Sequence, residues 1–247
     1  MIQYLIGVVF LYVIIRSYEE PRDTLPEVIV EPGGALGFYT LGICHYLMNH
    51  FEVDNKHIAG FSSGSFNAFF MRLHPDKRTF FLRGIFTCHI NSNIELLKNI
   101  TKFIETNTVL EDYMLGKISI AISHLEGCVL YDTFLNINNA MRCCNSSSFL
   151  PLVTNDSVLN FYNHKLSMDG YLLYGYFMKN YKIPPLVISP HMFGRYSNSV
   201  YHTILFLFGI HELQSTSIYQ MYLNGYHDAS MNKTYFEKYL QPIHSSS

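Results

Sequence analysis

The chain has 247 residues, enough for one large domain, and 49% of them are hydrophobic against only 15% charged. A formal net charge of −2 and the lack of a basic stripe exclude a nucleic-acid binder driven by phosphate contacts. The five cysteines (Cys44, Cys88, Cys128, Cys143 and Cys144) are odd in number and lack metal-ligand spacing, so free thiols in a reducing compartment are expected. Neither a metal nor another cofactor is called for.

Residues 1–15 are almost wholly apolar, broken by Gln3 and closed by Arg16. As a helix they would rise about 22 Å, short of the roughly 30 Å hydrocarbon core of a bilayer. No basic n-region or small-residue cleavage site marks a signal peptide. A buried core segment stays open, because Val8-Val9-Phe10 and Val13-Ile14-Ile15 are good strand formers. The expectation is a membrane anchor over residues 1–17. Residues 18–26, charged and carrying Pro21 and Pro26, read as a linker, residues 27–240 as the domain and 241–247 as a tail.

Glu27-Val28-Ile29-Val30 is a short apolar strand, followed by the glycine-rich run Pro32-Gly33-Gly34-Ala35-Leu36-Gly37 and a helical pattern over residues 38–47. Such a loop between strand and helix presents backbone donors to an anion. No Gly-Lys-Ser/Thr follows and no acidic residue closes a second strand, which disfavours a nucleotide site. Residues 56–60 form a second strand, and residues 63–73 a helix with Phe66, Phe69, Phe70 and Leu73 on one face. Between them stands Gly60-Phe61-Ser62-Ser63-Gly64, a G-x-S-x-G sequence at a strand-to-helix turn. This is the arrangement of a nucleophile elbow, in which small flanking residues let the serine hydroxyl rise clear of the backbone.

Further on, residues 74–115 read as mostly helical, with a break at residues 91–93. Lys117-Ile118-Ser119-Ile120-Ala121-Ile122-Ser123 alternates like a strand, and residues 129–134 suggest another. A helix over residues 136–147 runs into Ser148-Phe149-Leu150-Pro151. A strand over residues 162–166 precedes Ser167-Met168-Asp169-Gly170. Residues 204–210 read as a short core helix.

In this order the motifs resemble the patatin-like phospholipase family, in its adipose triglyceride lipase-like branch. The resemblance covers about residues 27–230 and rests on the oxyanion loop at residues 32–37, the elbow at Ser62, the helix ending before Pro151, and Asp169-Gly170. It implies an α/β fold, a three-layer α/β/α sandwich around a central, mostly parallel sheet. It also implies a Ser-Asp dyad, Ser62 as nucleophile and Asp169 as base, acting in lipid acyl hydrolysis. Gly33, Gly34 and Gly37 would serve the oxyanion hole with Ser63, while Gly60, Gly64 and Gly170 support the turns. The chain departs from the family pattern at Pro32, where a glycine is expected, and at Tyr171, where Gly or Ala is expected.

The chemistry expected of these residues is ester hydrolysis through an acyl-enzyme. Ser62 would attack a carbonyl as Asp169 takes its proton, and burial would raise the basicity of Asp169. Two alternatives stay open. A Ser-His-Asp triad would recruit one of His191, His202, His211 or His227, although Ser62 comes early for an α/β-hydrolase. A degenerate member of the fold would bind lipid or a partner without turnover. The expected substrate is a phospholipid, triacylglycerol or lysolipid at a membrane or droplet surface. Sequons stand at Asn99, Asn145, Asn155 and Asn232. A glycan at Asn145 would disturb the helix leading to Pro151, so a cytosolic catalytic domain is expected.

Overall fold

The computed structural model describes residues 25–87, 92–114, 117–182, 185–196 and 215–243. The apolar segment 1–17, Cys88 and the run 204–210 lie outside these residues. Among the described residues no helix is long and apolar enough to cross a membrane.

A seven-stranded sheet forms the centre. Strand β1 (Val28–Val30) lies between β2 (Ile58–Phe61) and β7 (Leu186–Ile188), and β3 (Ile118–His124) follows β2, all parallel. Antiparallel strands β4 (Gly127–Tyr131), β6 (Lys165–Met168) and β5 (Asn160–Tyr162) complete it. The sheet is therefore mixed and mostly parallel at its core.

Both faces are buried, which explains why Val28-Ile29-Val30 is apolar without a break. On one face Val28, Val30, Ile58, Ile118, Ile120 and Ile122 pack with the main helical layer. That layer holds α1 (Gly37–His50), α2 (Ser63–Met71), α3 (Pro75–Phe86), α4 (Asn93–Asn107), α5 (Ile137–Ser147) and α7 (Ser215–Met231). The short helix α8 (Lys233–Phe236) closes it, with Phe236 buried. On the other face Ile29, Ala59, Phe61 and Ala121 meet Leu173 and Phe177 of the short helix α6 (Tyr174–Met178) and the 3-10 turn before it. Helices thus cover both sides of the sheet, an arrangement compatible with a three-layer sandwich.

Local chemistry sets the helix starts. Pro75 opens α3, where its missing N–H costs nothing. Ser92 Oγ accepts from Glu95 N–H at 3.1 Å to cap α4, and Asn136 Oδ1 accepts from Asn139 N–H at 2.9 Å to cap α5. Helices α1 and α7 approach so closely that a Cβ on Gly42 would collide with the Tyr222 carbonyl, and one on Gly225 with that of Tyr39. Asn145 Oδ1 accepts from Thr101 Oγ1 at 3.0 Å, joining α5 to α4 through a sequon side chain.

Several elements differ from the sequence expectations. The strand expected over 162–166 is a hairpin instead: β5 ends at Tyr162, Asn163 and His164 turn with φ of 48° and 62°, and β6 begins at Lys165. Asn and His tolerate this left-handed region without the glycine that usually marks such turns. The strand expected over 129–134 starts earlier and ends at Tyr131, because Leu125-Glu126 turns it directly back along β3. The second strand runs through Phe61 rather than stopping at Gly60, and α2 ends at Met71 rather than Leu73. The expected tail is tied down at its start: Glu52 N–H donates to Gln241 O at 2.8 Å and Ile243 N–H to His50 O at 3.0 Å.

The sheet register explains where the ends of two strands meet. Ser123 and His124 of β3 pair with β4 on one side and with β6 on the other. Lower on β3, Ile120 and Ala121 pair with β4 and with β2. A strand residue has one partner on each side, so β2 and β6 share an edge of β3 and point at each other across the level of Ile122. Ser62 follows β2 and Asp169 follows β6, so the two arrive at one gap.

Candidate active site

At that gap Ser62 Oγ donates to Asp169 Oδ2 at 2.7 Å. Both residues are buried, with 8% of Ser62 and 2% of Asp169 exposed. Ser62 has φ 52° and ψ −129°, a conformation that a side chain rarely adopts. Its N–H donates to Ser147 Oγ at 2.8 Å, and its carbonyl accepts from Ser65 N–H at 2.9 Å and Ser65 Oγ at 2.6 Å. These bonds hold the sharp turn in place.

The expected small residues are required by contact. A Cβ on Gly60 would lie 2.5 Å from Ser65 Cα, and one on Gly64 would run into the Val30 carbonyl and sit 2.7 Å from Glu31 O. Gly170 lies against the strand edge, where a Cβ would be 2.6 Å from Ala121 O. Tyr171, where the resemblance in sequence implies Gly or Ala, meets no such restriction, since it is 61% exposed at the cavity.

Asp169 is held on three sides. Its Oδ1 accepts from Tyr171 N–H at 2.8 Å, and its N–H donates to Phe149 O at 3.0 Å. Burial pushes its carboxyl from 3.8 up to about 7, against the opposing effect of the Tyr171 and Ser62 hydrogen bonds. A carboxylate poised there exchanges a proton with an alcohol far more readily than an exposed aspartate.

The glycine loop stands opposite. Gly34 has φ 53° and starts a 3-10 turn through Leu36 that leads into α1. Gly34 N–H and Ser63 N–H engage no described residue, as befits donors at a helix start. Gly33 differs from expectation: its N–H donates to Ser63 Oγ at 3.0 Å, so this donor is already engaged. Gly37 lies close to the same side chain, where a Cβ would be 3.0 Å from Ser63 Cβ. Gly37 therefore gives the loop room to approach α2, and its amide is taken by Ala35 O and Gly34 O within the 3-10 turn. Asn67 Nδ2 donates to Gly37 O at 2.8 Å and Thr40 Oγ1 at 2.7 Å, fixing α2 against α1.

Ser62, Ser63, Asp169, Gly33, Gly34 and Gly37 all line one cavity of about 760 Å³. Most of its wall is apolar, from Phe38 and Leu41 of α1 to Phe70 of α2, Phe81 of α3, Ile100 of α4 and Leu150. Glu31 also faces it and accepts from Tyr174 Oη at 2.6 Å.

His191 lines the cavity, yet its Nδ1 donates to Tyr196 O at 3.1 Å. Among the described residues no imidazole hydrogen-bonds to Ser62 or Asp169. His202 and His211 lie outside those residues, and His227 is on α7. Among the described residues no group of His, Cys, Asp and Glu could hold a metal ion.

Sequence reasoning missed Ser147, the acceptor of the elbow amide, and the lock between Ser63 and Gly33. The signal for Ser147 was present in the helix end before Pro151, but nothing in the sequence pairs it with Ser62. No protein-family model matches the chain, and no curated protein matches it.

Proposed function

We propose that the chain is a serine-dependent lipid ester hydrolase of the patatin-like kind, in which Ser62 and Asp169 work as a dyad. The observation that carries this reading is the 2.7 Å hydrogen bond between a buried, strained elbow serine and a buried carboxyl raised to about 7. A serine hydroxyl needs a base in contact, and Asp169 is the one in contact here.

In the first half-reaction Ser62 Oγ bonds to the ester carbonyl carbon while its proton passes to Asp169 Oδ2. The carbonyl oxygen takes the negative charge, which Gly34 and Ser63 N–H groups stabilise. Collapse breaks the ester C–O bond, and Asp169 returns the proton to the departing alkoxide, leaving an acyl-Ser62. Water then attacks the acyl carbon as Asp169 takes its proton, and that proton finally restores the Ser62 hydroxyl. Free acid and alcohol leave, and the chain is unchanged.

The apolar cavity suits a long acyl chain, and this supports a lipid ester over a small polar one. Membrane or droplet lipids are the proposed substrate. A second reading, lipid binding without turnover, draws on the engaged Gly33 amide and on Pro32, which together remove two donors from the loop. Hydrolysis of a labelled panel of phospholipid, lysolipid and acylglycerols by the full-length protein, against Ser62→Ala, separates the two. Release of fatty acid that the variant does not show supports the hydrolase, whereas equal background from both supports the binder.

A further inference from the structure

Exposed large apolar side chains are scattered over most of the described surface, as is ordinary. One stretch differs. Within ten residues Leu152, Val158, Leu159 and Phe161 stand 51%, 52%, 61% and 52% exposed. The same loop turns its other side inward, where Leu150, Val153 and Thr154 line the cavity. Asp169 N–H donates to Phe149 O at the root of the loop, so the loop is tied to the backbone of the base three residues before Leu152. Continuing the β5–β6 register places Leu159 opposite Met168, level with the end of the sheet where Ser62 sits.

The loop is built to hold this shape. Thr154 Oγ1 accepts from Leu150 N–H at 2.8 Å and donates to Ser148 O at 2.6 Å, closing a tight turn around Leu152. Leu152 itself has φ 61°, an outlier for a bulky residue, and about half of it is left exposed. Strain that presents a leucine to solvent calls for a function outside the fold. Along β5, Tyr162 is buried and Asn160 Nδ2 bonds Ser146 and Ser167, so Leu159 and Phe161 share the opposite, outward face. Between residues 148 and 161 the sole charged residue is Asp156, and Lys98 pairs with it at 2.6 Å.

We propose that Leu152, Val158, Leu159 and Phe161 form the surface by which the protein docks on an uncharged lipid interface beside the cavity. This rests on the lipid-ester reading of the site. A long-chain ester resides in a membrane or droplet, and the loop that carries these side chains also contributes Leu150 and Val153 to the cavity wall, which brings a docked lipid surface close to the site. Residues 148–161 contain no cation of their own, and the Arg142 guanidinium beside them donates to Phe161 O at 3.4 Å, so apolar burial rather than charge is expected to drive docking, with little dependence on salt. Neutral and zwitterionic lipids fit it better than an anionic surface read by basic residues.

The chain contains no tryptophan, so a single introduced indole reports on one place. In the full-length protein, Leu159→Trp and Val158→Trp place it on the rim, and Leu135→Trp supplies the control. Leu135 is 85% exposed and follows β4, which runs away from the Ser62 end of the sheet. Phosphatidylcholine vesicles are expected to shift the emission of both rim variants to the blue, and acyl-brominated lipid to quench it, at low and high salt alike. The Leu135→Trp emission is expected to stay unshifted. No shift at either rim position, equal quenching at rim and control, or dependence on anionic lipid overturns the proposal. Fluorophosphonate labelling of Ser62 in the same samples separates the two claims. A labelled serine without rim quenching removes the docking surface alone, and rim quenching with an inert serine keeps the surface and removes the hydrolase.

Discussion

Replacing Asp169 with asparagine should change how the stability of the protein depends on pH. The side chain is buried beside Ser62, and burial raises its carboxyl from 3.8 to about 7. The folded state therefore binds a proton that the unfolded chain has released between these two values. A group with a raised folded value contributes stability that is complete below about 3.8 and is lost as pH rises through about 7. The full difference corresponds to about 4 kcal/mol, lost at about 1.4 kcal/mol per pH unit. From about pH 5 to pH 7 the wild type should lose about 2 kcal/mol that Asp169→Asn does not, or about 4–8 °C in Tm. Asparagine keeps an acceptor for Tyr171 N–H and places its amide toward Ser62, so the fold should survive. Thermal unfolding of both proteins across this range measures the difference between their Tm values. It should widen as pH rises and level off above about pH 7; a constant difference, or one that narrows, would refute the burial argument.

If Asp169 is the base proposed, catalysis should run the other way, because it accepts a proton only when ionised: ester turnover should rise with pH with a midpoint near 7, read from initial rates on a soluble ester. Ser147→Ala removes the acceptor of the buried Ser62 N–H and should cost about 1–3 kcal/mol in urea unfolding, with a loss of turnover as the elbow loosens. Gly64→Ala forces a methyl against the Val30 carbonyl and should cost about 3 kcal/mol or more, seen as loss of soluble, folded protein. Arg72 is buried and donates to the carbonyls of Val53, Asp54, Lys56 and Lys117, so Arg72→Met should destabilise by about 3 kcal/mol in the same denaturation assay. His191→Ala should retain most of the hydrolytic activity, because its ring bonds Tyr196 and not the serine.

The parts of the site visible in the sequence were those fixed by local sterics. Gly60 and Gly64 bracket Ser62 because the turn between β2 and α2 leaves no room for a Cβ, and Gly170 follows Asp169 because β3 passes beneath it. Val28–Val30 read correctly as a strand because both of its faces are buried. What stayed hidden depends on pairing at long range. That β6 shares an edge of β3 with β2, and so aims Asp169 at Ser62, is a property of register across more than 100 residues. The Asn163-His164 turn lacks glycine, so the hairpin leading to Asp169 read as one strand. Gly33 looked like a free donor because the loop alone cannot show that the Ser63 hydroxyl reaches back to it. The raised carboxyl is expected from burial in general terms, but its extent depends on a burial that outweighs the Tyr171 and Ser62 hydrogen bonds, which only the folded structure shows.

The most direct measurement for the central proposal is covalent labelling of the full-length protein with a fluorophosphonate, followed by peptide mass mapping. The reagent reports an activated serine irrespective of which lipid is cleaved. The adduct is expected on Ser62 alone, lost in Ser62→Ala, strongly slowed in Asp169→Asn and unaffected in His191→Ala. An unlabelled Ser62 in folded protein, or a rate unchanged by Asp169→Asn, would contradict the dyad.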